Sequence, residues 1–409
     1  MASRRNDGWL RGCHDKRGDP SMSHRRLHRF LLPVILILCL FSATDFGGSL
    51  TDSLPASGGG DPRLALLPAV ATLAAVGDTI MHTPVLAAAW DPVTRTYDFR
   101  PMFQEMQPLM SQADLTMAVL ETNLAGPATG YTGYPSFNTP DQIADALAWA
   151  GVDILFTAHN HMLDRGLPGI FRTVGYLDRL GLGHVGSAKT ADPAARIAWK
   201  DVHGIRFAFL SYTTATNGLT VPASSLWAAN LYTPQAMVAD VAKARENGAE
   251  IIVCALHSGT EYLRKPDQQQ LTVTREMADA GVDIILGSHP HVIQPITYLK
   301  GPRGEAFAAY SLGNLISNQR WRYSDCGLML FIVAAREPGG TARVARVSWL
   351  PFWVHRYAKD GMPRFRVLPI DDARLAIYAR DNLLSEADRQ RLREVWQETK
   401  ELIGYGSGE

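Results

Sequence analysis

The sequence predicts an α/β protein built on buried, largely parallel sheet, and three observations carry that expectation. Near-continuous apolar strands alternate with amphipathic helical stretches, a pattern that sets helices against parallel strands. The segments AWAGVDILFTAHNH (148–161) and ADAGVDIILGSHPH (278–291) repeat one helix–strand–loop unit, and each ends its strand on H-x-H. Strand after strand also closes on a residue able to bind a ligand, at the edge where open α/β sheets hold ligands. The duplication covers a single unit, so it is a reused α/β element and not a solenoid period.

The 409 residues, 46% of them hydrophobic, suffice for one large α/β domain with appendages or for two smaller ones. A formal net charge of zero gives no support for binding nucleic acid, and none is expected as a partner. Residues 1–29 form a basic flank, with Arg4, Arg5, Arg11, Lys16, Arg17, Arg25, Arg26 and Arg29 against Asp7, Asp15 and Asp19. The segment 30–46 opens with the apolar run FLLPVILILCLFSA, which is short for a membrane span of about 20 residues but matches a signal-peptide core. A cleaved signal and a retained membrane anchor both remain open, as does a start at Met22. Either places the rest of the chain outside the cytoplasm by the positive-inside rule. Residues 47–70, rich in Gly, Ser, Pro and Ala, are expected to be a flexible linker.

The folded domain is expected over 71–369. Its strands are predicted at 71–78, 115–121, 152–158, 205–212, 249–256 and 282–288, with helices at 141–150, 168–180, 234–247 and 268–280. His203-Gly204 reads as a hairpin turn. After residue 290 strands follow with few helices, which predicts a second, mostly antiparallel sheet. A helical extension over 370–409 closes the chain, with Ser385 as the cap of a charged helix at 384–402. Cys13 and Cys39 lie in the leader region. Cys254 reads as a small core hydrophobe, and the sequence leaves open whether it pairs with Cys326.

The strand ends supply Asp78, Glu121, Asn160 with His161, His257, and His289 with His291. Singly, each has an ordinary explanation: Asp78 as a helix cap, Asn160 as a turn residue, His257 as a satisfied core histidine. Together they form an oxygen–nitrogen donor set suited to one or two divalent ions such as Mn, Zn or Fe at a hydrolytic centre. Glu261 faces the expected pocket or serves as a helix-cap charge. Ser311 and Asn314 either line that pocket or serve the turn at Gly313.

AVGDTIMH around Asp78, VLETNL around Glu121, TAHNHMLDRG (157–166), LHSGTEY (256–262), GSHPHVIQP (287–295) and YSLGN (310–314) resemble, in order, the motifs of the CapA-type poly-γ-glutamate biosynthesis proteins. These are a branch of the calcineurin-like metallophosphoesterases. The resemblance implies a four-layer α/β/β/α sandwich. It also implies that Asp78 and His291 hold one metal, that Asn160, His257 and His289 hold the other, and that Glu121 bridges them. His161 would be the general acid and Asp164 its orienting carboxylate. His159 falls outside this ligand set. Two departures stand out. Ile80 replaces the histidine of the superfamily's D-x-H, leaving His82, Asn123 or water to substitute, and Ser258 stands where the capsule family usually has tryptophan.

Two functions follow. One is a secreted or membrane-tethered metal-dependent hydrolase acting on a phosphoester, or on an amide or ester of a surface polymer. The other is a membrane-anchored accessory that binds the anionic polymer during synthesis or export, beside synthase or export partners, without turning it over.

Overall fold

The computed structural model describes residues 68–404. The basic flank, the signal or anchor segment and nearly all of the expected linker lie outside the described residues. Among the described residues no helix is long and apolar enough to cross a membrane.

The first half of the described chain comprises β1 (Ala69–Thr79), α1 (Thr83–Ala89), β2 (Trp90–Asp91), β3 (Thr96–Tyr97), α2 (Gln107–Met110), β4 (Leu115–Leu120), α3 (Gln142–Ala150), β5 (Ile154–Phe156), α4 (Gly166–Leu180) and β6 (Gly183–Val185). The hairpin β7 (Ala198–Val202) and β8 (Ile205–Thr213) leads to α5 (Pro234–Glu246), β9 (Ile251–His257), α6 (Gln268–Ala280) and β10 (Ile284–Ser288). Six strands follow: β11 (Ile296–Gly301), β12 (Gly304–Ala309), β13 (Asn314–Ile316), β14 (Cys326–Arg336), β15 (Arg343–Lys359) and β16 (Met362–Pro369). The helices α7 (Asp372–Tyr378) and α8 (Glu386–Ile403) come last, α8 opening on a capping box between Ser385 and Asp388.

Besides the small β2-β3 hairpin, two large sheets result, ordered β16-β15-β14-β1-β4-β5-β6, with β13 also on β1, and β11-β12-β10-β9-β8-β7. Each has a parallel centre, β1-β4-β5-β6 in one and β8-β9-β10-β12 in the other. The separate antiparallel sheet expected after residue 290 does not form. Instead β11 and β12 complete the second sheet, while β14 pairs antiparallel with β1 and β15 and β16 extend the first sheet, each antiparallel to its neighbour. Strand character was right there, but edge partners are chosen by long-range packing that local pattern does not encode.

Alternation along each strand sorts its side chains into layers. Leu73 and Ala75 of β1 meet Met117, Ile154, Phe207, Phe209, Val253 and Ile284 between the two sheets. Ala74 and Val76 face the other way, against Val85 of α1 and Ile143 and Leu147 of α3. On the far side, Ala208, Ile252 and Ile285 pack on Met237 and Val241 of α5 and Val273 and Met277 of α6. This is a four-layer α/β/β/α sandwich. Each fully buried Leu, Val or Phe in these layers contributes about 1.5–3 kcal/mol.

The duplicated segment has a duplicated structural role. Gly151 and Gly281 end α3 and α6 in the left-handed region, with φ of 106° and 97°. Asp153 then accepts the Thr116 N–H at 2.8 Å, and Asp283 accepts the Ile252 N–H at 2.6 Å, so each aspartate clamps the adjacent parallel strand. Cys254 and Cys326 are both free and buried.

The sheets touch at their carboxyl edges. The YSLGN turn leaves β12 in one sheet and enters β13 in the other. Asp78 N–H donates to the Gly313 carbonyl at 2.9 Å, and Leu312 N–H donates to the Gly287 carbonyl at 3.1 Å. A Cβ on Gly77 would lie 1.9 Å from the Gly313 oxygen, and one on Gly287 would lie 1.9 Å from the Tyr310 oxygen. Because these obstacles are backbone, Gly287→Ala should lose at least about 3 kcal/mol of stability in urea unfolding. Gly175→Ala, whose Cβ in α4 meets nothing closer than 3.8 Å, should instead gain about 0.5–1 kcal/mol. Equal effects of the two substitutions would contradict the close crossing.

Candidate metal centre

The crossing brings the ends of β1, β4, β5, β9 and β10 to one place. Asp78 is the penultimate residue of β1 and Glu121 directly follows β4; both are wholly buried. His257 ends β9, and His289 and His291 sit in the turn after β10. Those two histidines have φ of 94° and 58°, a left-handed conformation costing about 1–3 kcal/mol per residue unless its surroundings enforce it. The surroundings do so. His289 N–H donates to Asp78 Oδ2 at 3.2 Å, Tyr262 N–H to the Pro290 carbonyl at 2.8 Å, and Asn314 Nδ2 to the His291 carbonyl at 3.3 Å.

Around Glu121 the donors form overlapping sets. Asp78, Glu121 and His291 each offer an atom within 4.8 Å of the others, as do Glu121, His257 and His289, and Glu261, His289 and His291. Glu121 Oε1 lies 3.7 Å from His257 Nε2 and 3.8 Å from His291 Nε2, so one carboxylate is common to two sets. Asn160 Oδ1 meets His257 Nε2 at 3.0 Å. On the far side of each ring another residue sets its orientation: Ser288 Oγ is 2.9 Å from His257 Nδ1, and Asn314 Oδ1 is 3.0 Å from His291 Nδ1.

Asp78 Oδ1, both Glu121 oxygens and His289 Nδ1 are buried without any hydrogen-bond partner. Carboxylate oxygens in that state are costly unless a cation meets them. The residues present therefore fit one or two divalent ions with nitrogen and oxygen ligands. Electrostatics agree with this. Burial drives the Glu121 carboxyl well above its ordinary range, the charges of Asp78 and Glu261 adding to the effect while His291 opposes it. Burial, with His289 beside it, holds His257 well below 6.5, and burial with His291 nearby holds His289 at about 4, leaving both neutral for coordination. At His291 burial also disfavours the charge, but Glu121 and Asp78 outweigh it and raise the imidazole to about 9.

His161 stands beside this cluster. Its Nδ1 is 2.9 Å from Asp164 Oδ2, which also accepts the Phe137 N–H at 2.7 Å, and the Phe137 ring meets the imidazole edge-on at 4.7 Å. Asn123 donates to the His161 carbonyl at 2.7 Å, which makes it a brace of that loop. Ile80 is buried and brings only hydrocarbon to the edge. His82, offered as its substitute, lies outside the three donor sets, and its Nδ1 accepts the Asn318 N–H at 3.2 Å. His159 is buried with its ring 6.1 Å from that of His257, also outside those sets. Ser258 is buried and bonded to Thr214 and Gln269. Ser311 and Asn314 do not line an open pocket. Both are wholly buried, Ser311 Oγ accepting the Gly313 N–H at 3.2 Å and Asn314 holding His291. Glu261 is exposed at the mouth.

Asn217 escaped the sequence reading. It follows β8, its Oδ1 accepts from Asn160 Nδ2 at 3.2 Å, and its Nδ2 lies 3.3 and 3.4 Å from the two ring nitrogens of His161. The signal available was an Asn-Gly pair just past a strand end.

Comparison with known proteins places these elements in context. The family model described as "Bacterial capsule synthesis protein PGA_cap" matches residues 72–319. The PGA biosynthesis protein CapA of Bacillus subtilis (strain 168) is 28% identical over 311 residues, covering 72% of this chain and 70% of that protein. Among solved structures, the NAD nucleotidase NadN of Haemophilus influenzae aligns at 13% identity with a TM-score of 0.47, over 82% of this chain and 68% of that one. The calcineurin-like phosphoesterase YfkN of Bacillus subtilis aligns at 11% identity with a TM-score of 0.42, over 82% and 99%.

The buried imidazoles dictate how stability depends on pH. His289 and His82 are held at about 4 against 6.5, so between these values the unfolded chain binds protons that the folded one refuses, and stability rises with pH. His291, raised to about 9, does the reverse: its contribution is complete below 6.5 and is lost as pH climbs through 9. Each histidine is worth up to about 3 kcal/mol at roughly 1.4 kcal/mol per pKa unit. Glu121, whose carboxyl is also raised, opposes the first rise, so in urea unfolding with a chelator the clear signature is a loss of stability as pH climbs from 6.5 to 9. A steady rise across both windows would contradict the assignment.

Proposed function

The chain belongs to the PGA_cap family of bacterial capsule synthesis proteins, and on that premise we propose that its edge cluster is the divalent-metal centre of a hydrolase. The substrate is a phosphoester, or an amide or ester of an anionic surface polymer. The reaction takes place outside the cytoplasm, where the basic flank and apolar run of residues 1–46 deliver and tether the domain, beside the polymer's synthase or export partners. One observation carries the reading: wholly buried Glu121, with both oxygens unpartnered, is shared by two donor sets that each contain an imidazole.

Asp78, Glu121 and His291 would hold one ion; Glu121, Asn160, His257 and His289 would hold the other. A divalent cation there supplies Lewis acidity and makes water a competent nucleophile near neutral pH. The chain's own groups do the rest. Asp164 engages Nδ1 of His161 and is itself fixed by the Phe137 N–H, so the proton that His161 gives to a leaving oxygen sits on Nε2. Asn217 and Asn160, bonded to each other, keep His161 and His257 in register across the two sheets. Ser288 and Asn314 hold the orientations of His257 and His291.

His161→Ala should keep its metal content while turnover of aryl phosphoesters falls about 10²–10⁴-fold. His257→Ala combined with His289→Ala should empty the site in elemental analysis; unchanged metal content would refute the ligand assignment. A second reading rests on Ile80, which leaves the Asp78 side short of a donor. In it the protein binds the anionic polymer without turnover. That reading prevails if full-length protein holds metal yet hydrolyses nothing across a broad panel of esters and amides.

A further inference from the structure

We propose that Glu261 is itself a metal ligand, entering from the mouth beside His289 and His291 to add a donor to the ion held by Asp78, Glu121 and His291. The proposal rests on the metal-centre reading above and adds a donor that lies on no strand end. The Glu261 carboxylate lies within 4.8 Å of ligand atoms on both histidines, although its residue is exposed.

Its loop is fastened directly to the turn that carries those histidines. Tyr262 N–H donates to the Pro290 carbonyl at 2.8 Å, and Gln294 Nε2 donates to the Leu263 carbonyl at 2.8 Å. Gln319 Nε2 donates to Tyr262 Oη at 3.2 Å, and the Tyr262 ring stacks on Trp321 at 5.3 Å. Tyr262 is held at a φ of 66°, a conformation that a tyrosine adopts only when such contacts enforce it. The result presents the preceding residue, Glu261, to the donor cluster.

The cluster needs such a donor. His289 Nδ1 and Asp78 Oδ1 remain buried and unpartnered beside it. The set of Asp78, Glu121 and His291 counts three donors, and Ile80, two residues beyond Asp78, adds none. Four ligands are the usual minimum for zinc, and manganese takes more. A bare carboxylate at this mouth would also repel an anionic substrate, whereas one bound to a cation is neutralised.

Co²⁺ alone, titrated into full-length protein, tests this, because its visible absorption reports the ligand set independently of turnover. Glu261→Ala, an exposed position that leaves folding intact, should lower Co²⁺ affinity at least tenfold and alter the spectrum. If the spectrum of the variant equals that of the parent, Glu261 acts at most as a nearby charge and the proposal is overturned, whatever the affinity. If the parent binds no Co²⁺, or His257→Ala/His289→Ala binds it as the parent does, the metal-centre reading itself fails and this assignment falls with it. A parent that binds, a double variant that does not, and an unchanged Glu261→Ala spectrum would reject Glu261 alone.

Discussion

The edge of the sandwich is organised around a carboxylate that the folded chain does not satisfy by itself. Glu121 is wholly buried, follows a fully buried strand, and has no hydrogen bond to either oxygen. Burying such a group in ionised form costs several kcal/mol unless opposite charge meets it. The chain surrounds it with His257 and His291 and sets Asp78 beside His291 at 3.3 Å. That places a structural cost at the candidate metal centre, as functional sites commonly do. The rest of the sandwich can be seen as the frame that makes this burial tolerable.

The frame depends on how closely the two sheets approach. Gly77 and Gly287 let backbone meet backbone where β1 and β10 pass the turn between β12 and β13. With the strands that near, Asp78 of one sheet accepts an N–H from His289 of the other across 211 residues of sequence. The same approach puts Asn160, from the first sheet, against His257, from the second. Arg391 of α8 completes the frame from outside. It holds Asp325 at 2.8 and 3.0 Å just before β14, while Trp353 donates to the same carboxylate. Residues beyond the family-matched segment thereby brace the sheet that carries Asp78.

Much of this was legible in the sequence, for reasons that differ from element to element. Strand ends could be read because an apolar run stops where the chain leaves the core, and Asp78, Glu121 and His257 stand at such stops. The repeated AGVDI could be read because helix termination at Gly151 and Gly281 is local chemistry. The extra antiparallel sheet was misjudged because β14–β16 have the pattern of any half-buried strands, and nothing local says that β14 pairs with β1. Asn217 was missed because an Asn-Gly turn has an adequate explanation without any neighbour. For Ser311 and Asn314 the sequence left pocket and turn both open, and in the fold the turn that bears them is the bridge between the sheets. The halves of the duplicated unit share the strand clamp of Asp153 and Asp283, while the loops that follow, TAHNH and GSHPH, deliver different groups.

The sequence by itself determined which residues stand at the strand ends and what donors they carry, because hydrophobic period and helix caps are set by neighbours in the chain. Only the tertiary structure decided which donors share a centre. Glu121, implied as a bridge by the resemblance, came within 3.8 Å of His257 and His291, Asn314 became the holder of His291, and Glu261 came to the mouth from a loop. Those outcomes depend on the separation and register of two sheets, which are set by the packing of side chains far apart in sequence.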